Sequence, residues 1–287
     1  MKVSTLLFIF LASLNCALAN DIDNLQTTDD VQKFLEEKVN RKWRKVQFFE
    51  DILTEESSTY GKGKFIKIDL DNNGLTDLII NAKYLFAVTD KGNGKYESHF
   101  IDRDNFKGRN YTLKSIFYVD KTPLLIIEKY SAFNLEDQVN PKPDTLTLIF
   151  GEFYEYNSTP DHFIIDEIRF TTSYCFGTCP VFELIVSSDG TANYHAIKYN
   201  DQSGKFHTVI DMVSIHKLFD SINYLNLTSL KDQYHVNWTD DQTATLEIKF
   251  NNGQVKKISD YGMIATFGLQ HVYAQFFEFR KSQKWNR

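Results

Sequence analysis

The sequence predicts an α+β protein, mostly antiparallel β-sheet with a few helices, arranged in two parts behind an export signal. Three observations lead there. Aromatic residues make up 15% of the 287 residues, with 24 Phe and 15 Tyr, and such side chains fit a pleated, half-buried surface. From Phe65 onward, short apolar runs recur between turn residues at strand length. Only three stretches space their apolar residues at the helical period. Hydrophobic residues at 42%, charged residues at 24%, 13 Gly and 5 Pro describe an ordered globular chain, long enough for about two domains. A net charge of -6 offers no basic field to a polyphosphate backbone, so the composition argues against a nucleic-acid partner.

Residues 1–19 follow the logic of a signal peptide. Lys2 supplies the positive end, Leu6 to Leu14 form a short apolar run, and Ala17-Leu18-Ala19 offers small residues for cleavage. The mature chain is then expected to begin at Asn20. The run is well short of the roughly 20 residues that span a bilayer, and no later segment is apolar enough, so no transmembrane segment is expected after cleavage. A lipid anchor on Cys16 is the weaker alternative, because Ser13-Leu14-Asn15 lacks the small residues wanted before an acylated cysteine. Of three cysteines, cleavage leaves Cys175 and Cys179.

Residues 20–160 read as a helix followed by an antiparallel β module. Val31, Phe34, Leu35, Val39 and Trp43 fall near helical spacing between Asn24 and about Ser58, with Thr28, Asp29 and Asp30 at the N-terminal end. The strand runs are Phe65 to Asp69, Leu78 to Val88, Tyr96 to Ile101, Leu113 to Val119, Leu124 to Tyr130 and Thr145 to Tyr156. Lys91-Gly92-Asn93-Gly94-Lys95 and Pro141-Lys142-Pro143-Asp144 are the turns of what reads as a meander.

Residues 161–287, after Asn157-Ser158-Thr159-Pro160, alternate element types. Strands are expected at Phe163 to Thr171, Val181 to Ser187 and Thr191 to Lys198, then a helix from Met212 to Tyr224 with Met212, Ile215, Phe219 and Ile222 on one face. Thr243 to Phe250 and Gln254 to Tyr261 form a hairpin across Asn251-Asn252-Gly253. A last helix from Thr266 to Lys281 carries the stripe Leu269, Val272, Tyr273, Phe276 and Phe277, and ends on Arg280 and Lys281, the charge sign a helix C-terminus prefers.

The sharpest local pattern is Asp69-Leu70-Asp71-Asn72-Asn73-Gly74-Leu75-Thr76-Asp77. Ca²⁺ takes hard oxygen ligands. Asp69, Asp71, Asn73 and Asp77 stand at loop positions one, three, five and nine, Leu75 offers a carbonyl at seven, and Gly74 permits the turn. Ile80 stands where an EF-hand needs a bidentate Glu, and both flanks read as strands. The loop resembles a single calcium loop of the FG-GAP/VCBS type, which joins two strands. The competing reading is a polar turn, since Asp, Asn and Gly are ordinary turn residues. Three carboxylates in nine residues repel unless a cation lies among them, which favours calcium as a structural cofactor.

Cys175-Phe176-Gly177-Thr178-Cys179-Pro180 places two thiols of an exported chain on one turn, and an oxidising compartment favours their pairing. Closing so short a loop restricts the unfolded chain by only roughly 2 kcal/mol, so the bridge shapes a strand entry. Thiol-disulfide redox chemistry is the alternative, weakened by C-x3-C spacing and by the lack of a strand-to-helix context. Zinc would need His162 or His195 to converge on the sulfurs.

Ile168-Arg169-Phe170, the Cys175 to Leu184 segment, Ser188-Asp189-Gly190-Thr191 and Tyr194 resemble an uncharacterised bacterial domain family of unknown function. Its mark is Cys, Phe or Tyr, Gly, any residue, Cys-Pro-Val, then Phe or Tyr. Thr239 to Thr243, Asn252-Gly253 with Lys256-Lys257, and Asp260-Tyr261-Gly262 resemble its tail. The likeness covers roughly residues 163 to 281 and implies a bacterial envelope origin: periplasm, outer envelope or secreted. It implies no activity.

His162, His195, His207, His216, His235 and His271 are scattered, and each reads as an isolated side chain. Tyr234-His235-Val236-Asn237-Trp238-Thr239-Asp240-Asp241 gathers acid, base and aromatic groups. His235, Asp240 and Asp241 are therefore the candidate catalytic residues of a periplasmic or secreted hydrolase, against a strand-entry loop capped by the acids. No phosphate loop, nucleophile elbow or dinucleotide glycine pattern occurs. The leading expectation is an exported protein with a binding or structural role toward an envelope or extracellular partner. Hydrolysis comes second and redox chemistry third.

Overall fold

Each of three β-sheets buries at least one face against a neighbouring element, and the burial explains where the sequence reads cleanly. The structure is a computed structural model that describes residues 20–39, 65–82, 84–101, 110–130 and 143–287. The signal-peptide expectation for residues 1–19, and the part of the first helix beyond residue 39, lie outside the described residues. Among the described residues, no helix is long and apolar enough to cross a membrane.

The first sheet runs β1 (Phe65–Ile68), β2 (Asp77–Asn81), β3 (Leu85–Asp90), β4 (Tyr96–Phe100), each antiparallel to the next. Leu78, Ile80, Phe86 and Val88 face the N-terminal segment, where Ile22, Val31, Phe34 and Leu35 are buried. Ile79, Leu85 and Ala87 point the other way, toward the second sheet. Burial on both faces removes the polar alternation of a half-exposed strand. For that reason Leu78 to Val88, which reads as one strand, is in fact two paired strands.

The N-terminal helix α1 spans Thr28–Phe34. Thr27 and Asp30 close its start as a reciprocal capping box, and Leu35–Val39 continues it as one π-helical stretch.

The second sheet is β5 (Asn110–Val119), β6 (Thr122–Tyr130), β7 (Pro143–Ile149) and β8 (Glu152–Glu155), again an antiparallel meander. The single run Thr145 to Tyr156 is therefore a hairpin. Phe150 (φ 56°) and Gly151 (φ 81°) form its two-residue turn, with the left-handed pair that a type I′ hairpin needs. Phe is atypical at the first of these positions, which hid the turn. On β8, Phe153 joins the core shared by the first two sheets, whereas Tyr154 enters the core of the C-terminal domain.

The third sheet has seven strands in the order β12 (Gly204–Val209), β11 (Thr191–Lys198), β10 (Val181–Ser187), β9 (Ile165–Thr172), β14 (Thr243–Phe250), β15 (Val255–Tyr261), β13 (Gln233–His235). All pairings are antiparallel except β13 with β15. Ile168, Phe170, Leu184, Val186, Leu246 and Ile248 alternate onto one buried face, beneath α2 (Met212–Asn223) and α3 (Phe267–Ser282). Arg169, Glu183, Glu247 and Lys257 pair on the other. β12 and β13 went unread, being short edge strands with few apolar residues. In α2 the buried side is Ile215, Leu218 and Ile222, while Met212 in the first turn is exposed. Asp211 caps α2 and Thr266 caps α3.

Candidate functional site

The connection from β9 to β10 is built as a rigid, outward-pointing loop. Cys175 and Cys179 form a disulfide with Cα atoms 5.9 Å apart, within the usual span. Gly177 takes φ +145°, a conformation that favours glycine. Gln242, buried at the start of β14, donates from Nε2 to the carbonyls of Ser173 and Pro180, both at 2.8 Å. It thus ties the two ends of the loop together. Thr172 Oγ1 donates to the Pro180 carbonyl at 2.8 Å, and the Thr243 N–H reaches Ser173 Oγ at 2.8 Å. At the tip, the Phe176 N–H donates to the Asp240 carbonyl at 2.9 Å, which binds this loop to the one before β14.

What the two loops display is aromatic. Phe176 is 89% exposed, Tyr174 58% and Trp238 42%. A large side chain so exposed on anchored backbone is the kind of feature that marks an interaction site. Residues 166–280 match the family model of a domain of unknown function, DUF6438. The DUF6438 region opens within β9, contains the disulfide loop and the Trp238 loop, and ends in α3. No curated protein and no solved structure matches the chain.

Within the DUF6438 region, the residues of the acid-base loop take separate tasks. The Tyr234 hydroxyl accepts the Lys231 N–H at 3.1 Å, and burial raises its pKa. His235 is exposed at the end of β13. Asp240 is exposed with φ 72° and accepts from the Thr239 hydroxyl at 3.2 Å. Asp241 accepts from Gln242 N–H at 2.8 Å and from Trp238 Nε1 at 3.3 Å, while its own N–H reaches the Tyr261 hydroxyl. These bonds shape the loop and orient Trp238. Gln242 was not singled out by sequence reasoning, since a clamp between distant strands has no local signature.

Replacing both cysteines, Cys175→Ser/Cys179→Ser, is expected to lower unfolding free energy by roughly 2 kcal/mol in a denaturant titration. Alkylation without reductant should leave Cys175 and Cys179 unmodified by peptide mass. Insulin reduction by the reduced protein well above the rate of the double variant would replace this structural role with a redox one.

The β1–β2 loop gathers part of the expected ligand set. Oxygens of Asp69, Asp71 and Asp77 lie within 4.8 Å of one another. Asp77 is fully buried and accepts the N–H groups of Leu70 at 2.7 Å and Asp90 at 2.8 Å. Its burial pushes the carboxyl up to about 6, with the charges of Asp71 and Asp69 acting in the same direction and the two N–H groups opposing. Asn73 is otherwise engaged: its Oδ1 accepts the Leu75 N–H at 2.7 Å and its Nδ2 donates to the Asp90 carbonyl at 2.8 Å. A tethered cation is also present, because Lys91 Nζ contacts Asp71 at 2.6 Å. Repulsion among the three carboxylates is therefore already eased by Lys91.

One cluster escaped the sequence reading. His99 on β4 and His271 on α3, both buried, place Nδ1 3.9 and 3.7 Å from the same oxygen of Glu152 on β8. His99 Nε2 also lies 2.9 Å from the Thr89 hydroxyl, and His271 stacks on Tyr154. His271 is thus part of a junction joining both small sheets to the C-terminal domain rather than an isolated side chain.

Proposed function

We propose that the protein is an exported bacterial envelope protein that works by binding, using the aromatic tip of the DUF6438 region, and that Ca²⁺ held by the β1–β2 loop stabilises its N-terminal part. The observation that carries the binding reading is Phe176, nearly fully exposed on a loop fixed by a disulfide and by the Gln242 clamp. Fixed backbone lowers the ordering cost of association, and aromatic side chains are enriched at protein interfaces. A partner of the envelope or extracellular space fits such a surface. Wild-type protein immobilised in envelope extract is expected to retain a discrete partner that Phe176→Ser/Trp238→Ser loses while keeping the same melting temperature. Identical retention by both proteins would count against the aromatic tip.

For the ion, three carboxylates fit Ca²⁺ chemistry: ligand distances of 2.3–2.6 Å allow oxygens up to about 5 Å apart to share it. The Asp71 oxygen now facing Lys91 would have to exchange partners, and Lys91, partly exposed, has Glu97 at 3.8 Å as an alternative partner. A ligand that binds only the folded state raises its stability by mass action. The mature chain, first stripped with chelator, is expected to gain about 2.7 kcal/mol at a Ca²⁺ concentration 100 times Kd. Asp71→Ala should remove most of that gain. A melting temperature unchanged up to millimolar Ca²⁺ leaves Lys91 as the loop's cation and rejects the calcium reading.

A further inference from the structure

Between β8 and the loops that lead from α2 and into α3 lies a cavity of about 150 Å³. Its walls include Tyr154, Glu155, Tyr156, Tyr224, Asn226 and Ser229. The Tyr154 and Tyr224 rings stand 5.9 Å apart at 86°, so two aromatic walls meet at nearly a right angle. Both side chains are buried. Glu155 is the charged residue of the lining, and no Lys, Arg or His is among the described residues that line it. Its two oxygens accept the N–H groups of Phe267 and of Gly268, the latter at 3.0 Å, and each keeps further acceptor capacity.

We propose that this cavity binds a small organic ammonium ion, with the tyrosine rings around the cation and Glu155 as its counter-charge. An aromatic face attracts a desolvated ammonium through its quadrupole. A buried cation also needs an opposite charge within reach, and Glu155 supplies one. The first turn of α3 is electropositive, equivalent to about half a charge, which the full charge of an ionised Glu155 exceeds. Burial raises the Glu155 carboxyl above its ordinary value, so a cation beside it would relieve an existing penalty. A cavity of about 150 Å³ takes a benzene-sized guest, a size that tetramethylammonium and choline approach. Asn226 and Ser229, both exposed, stand at the rim where a hydroxyl tail would emerge.

The inference does not depend on the aromatic tip or on Ca²⁺. Isothermal titration of the mature chain with choline, with 3,3-dimethyl-1-butanol, its uncharged carbon isostere, and with glucose tests it. Choline is expected to bind at least about tenfold more tightly. Tyr224→Phe should hold choline affinity within about twofold, and Tyr224→Leu should weaken it about tenfold. Glu155→Gln should reduce the preference for choline over the isostere to what the tyrosine rings alone supply. Since that substitution also touches the start of α3, the wild-type comparison decides alone if the variant fails to fold. Equal binding of the two ligands makes the cavity merely apolar, no binding of either rejects it as a site, and preferential binding of glucose would assign it to sugars instead; each overturns the proposal.

Discussion

Gly190→Ala is expected to destabilise the C-terminal domain by about 3 kcal/mol. Gly190 ends the turn between β10 and β11 with φ +86°, and a Cβ there would sit 2.6 Å from the carbonyl oxygen of Ile210. That carbonyl is backbone, held by the β12 to α2 connection, and the Ile210 N–H itself donates to the Gly190 carbonyl at 2.9 Å. No side-chain rotation relieves the contact. The substitution therefore combines a left-handed backbone that disfavours Cβ with a steric overlap that must separate two hydrogen-bonded segments. At about 2–4 °C per kcal/mol for a chain of this size, the melting temperature should fall by roughly 6–12 °C. A fall of less than about 2 °C would mean that the turn relaxes freely and the close approach is not a constraint.

The second large effect is expected at Gly268→Ala, in the first turn of α3. A Cβ would lie 2.4 Å from Leu225 Cδ2 and 2.7 Å from Tyr154 Cδ1. Leu225 can yield, because the clashing atom is the end of a flexible side chain. Tyr154 cannot yield as easily: its ring is packed edge-on against Phe150 and Tyr224 and stacked with His271. Overpacking of this kind costs about 2 kcal/mol, partly offset by the better helix propensity of Ala. The net loss should be about 1–2 kcal/mol in urea. Gly268→Ala stability equal to wild type would show that the seam between β8 and α3 is loosely packed.

The legible parts of the fold were those with one wet face. β10 and β11, with Val181–Ser187 and Thr191–Lys198, alternate buried and less buried residues and were readable at their exact bounds. The β14–β15 hairpin was readable from its Asn-Gly turn. Strands buried on both sides merged instead, as at Leu78 to Val88, since nothing polar interrupts them. Sheet order was not readable: β9 lies between β10 and β14, and that placement depends on contacts far apart in sequence. The disulfide was legible from two cysteines four residues apart on one turn, while its exposed Phe176 appeared only as a motif member. Of the acidic loop, the carboxylates came together as their spacing suggested. Lys91, 20 residues beyond Asp71, entered through the β3–β4 turn, which no local pattern could announce. Glu152 with His99 and His271 is the same case over longer separations.

Tyr154 has a consequence for modular exchange. It grows from the last strand of the second sheet, yet its ring completes a core whose other members come mostly from residues 165 onward. A C-terminal unit cut out at residue 161 and joined to a foreign neighbour would carry an aromatic-sized slot where that ring belongs. Transplanting the unit intact would require bringing the β7–β8 hairpin along, or a replacement aromatic inserted from the new neighbour at the same place. Inheritance of this fold as a movable piece therefore depends on side chains outside the 166–280 segment, of which Tyr154 is the largest that is fully buried.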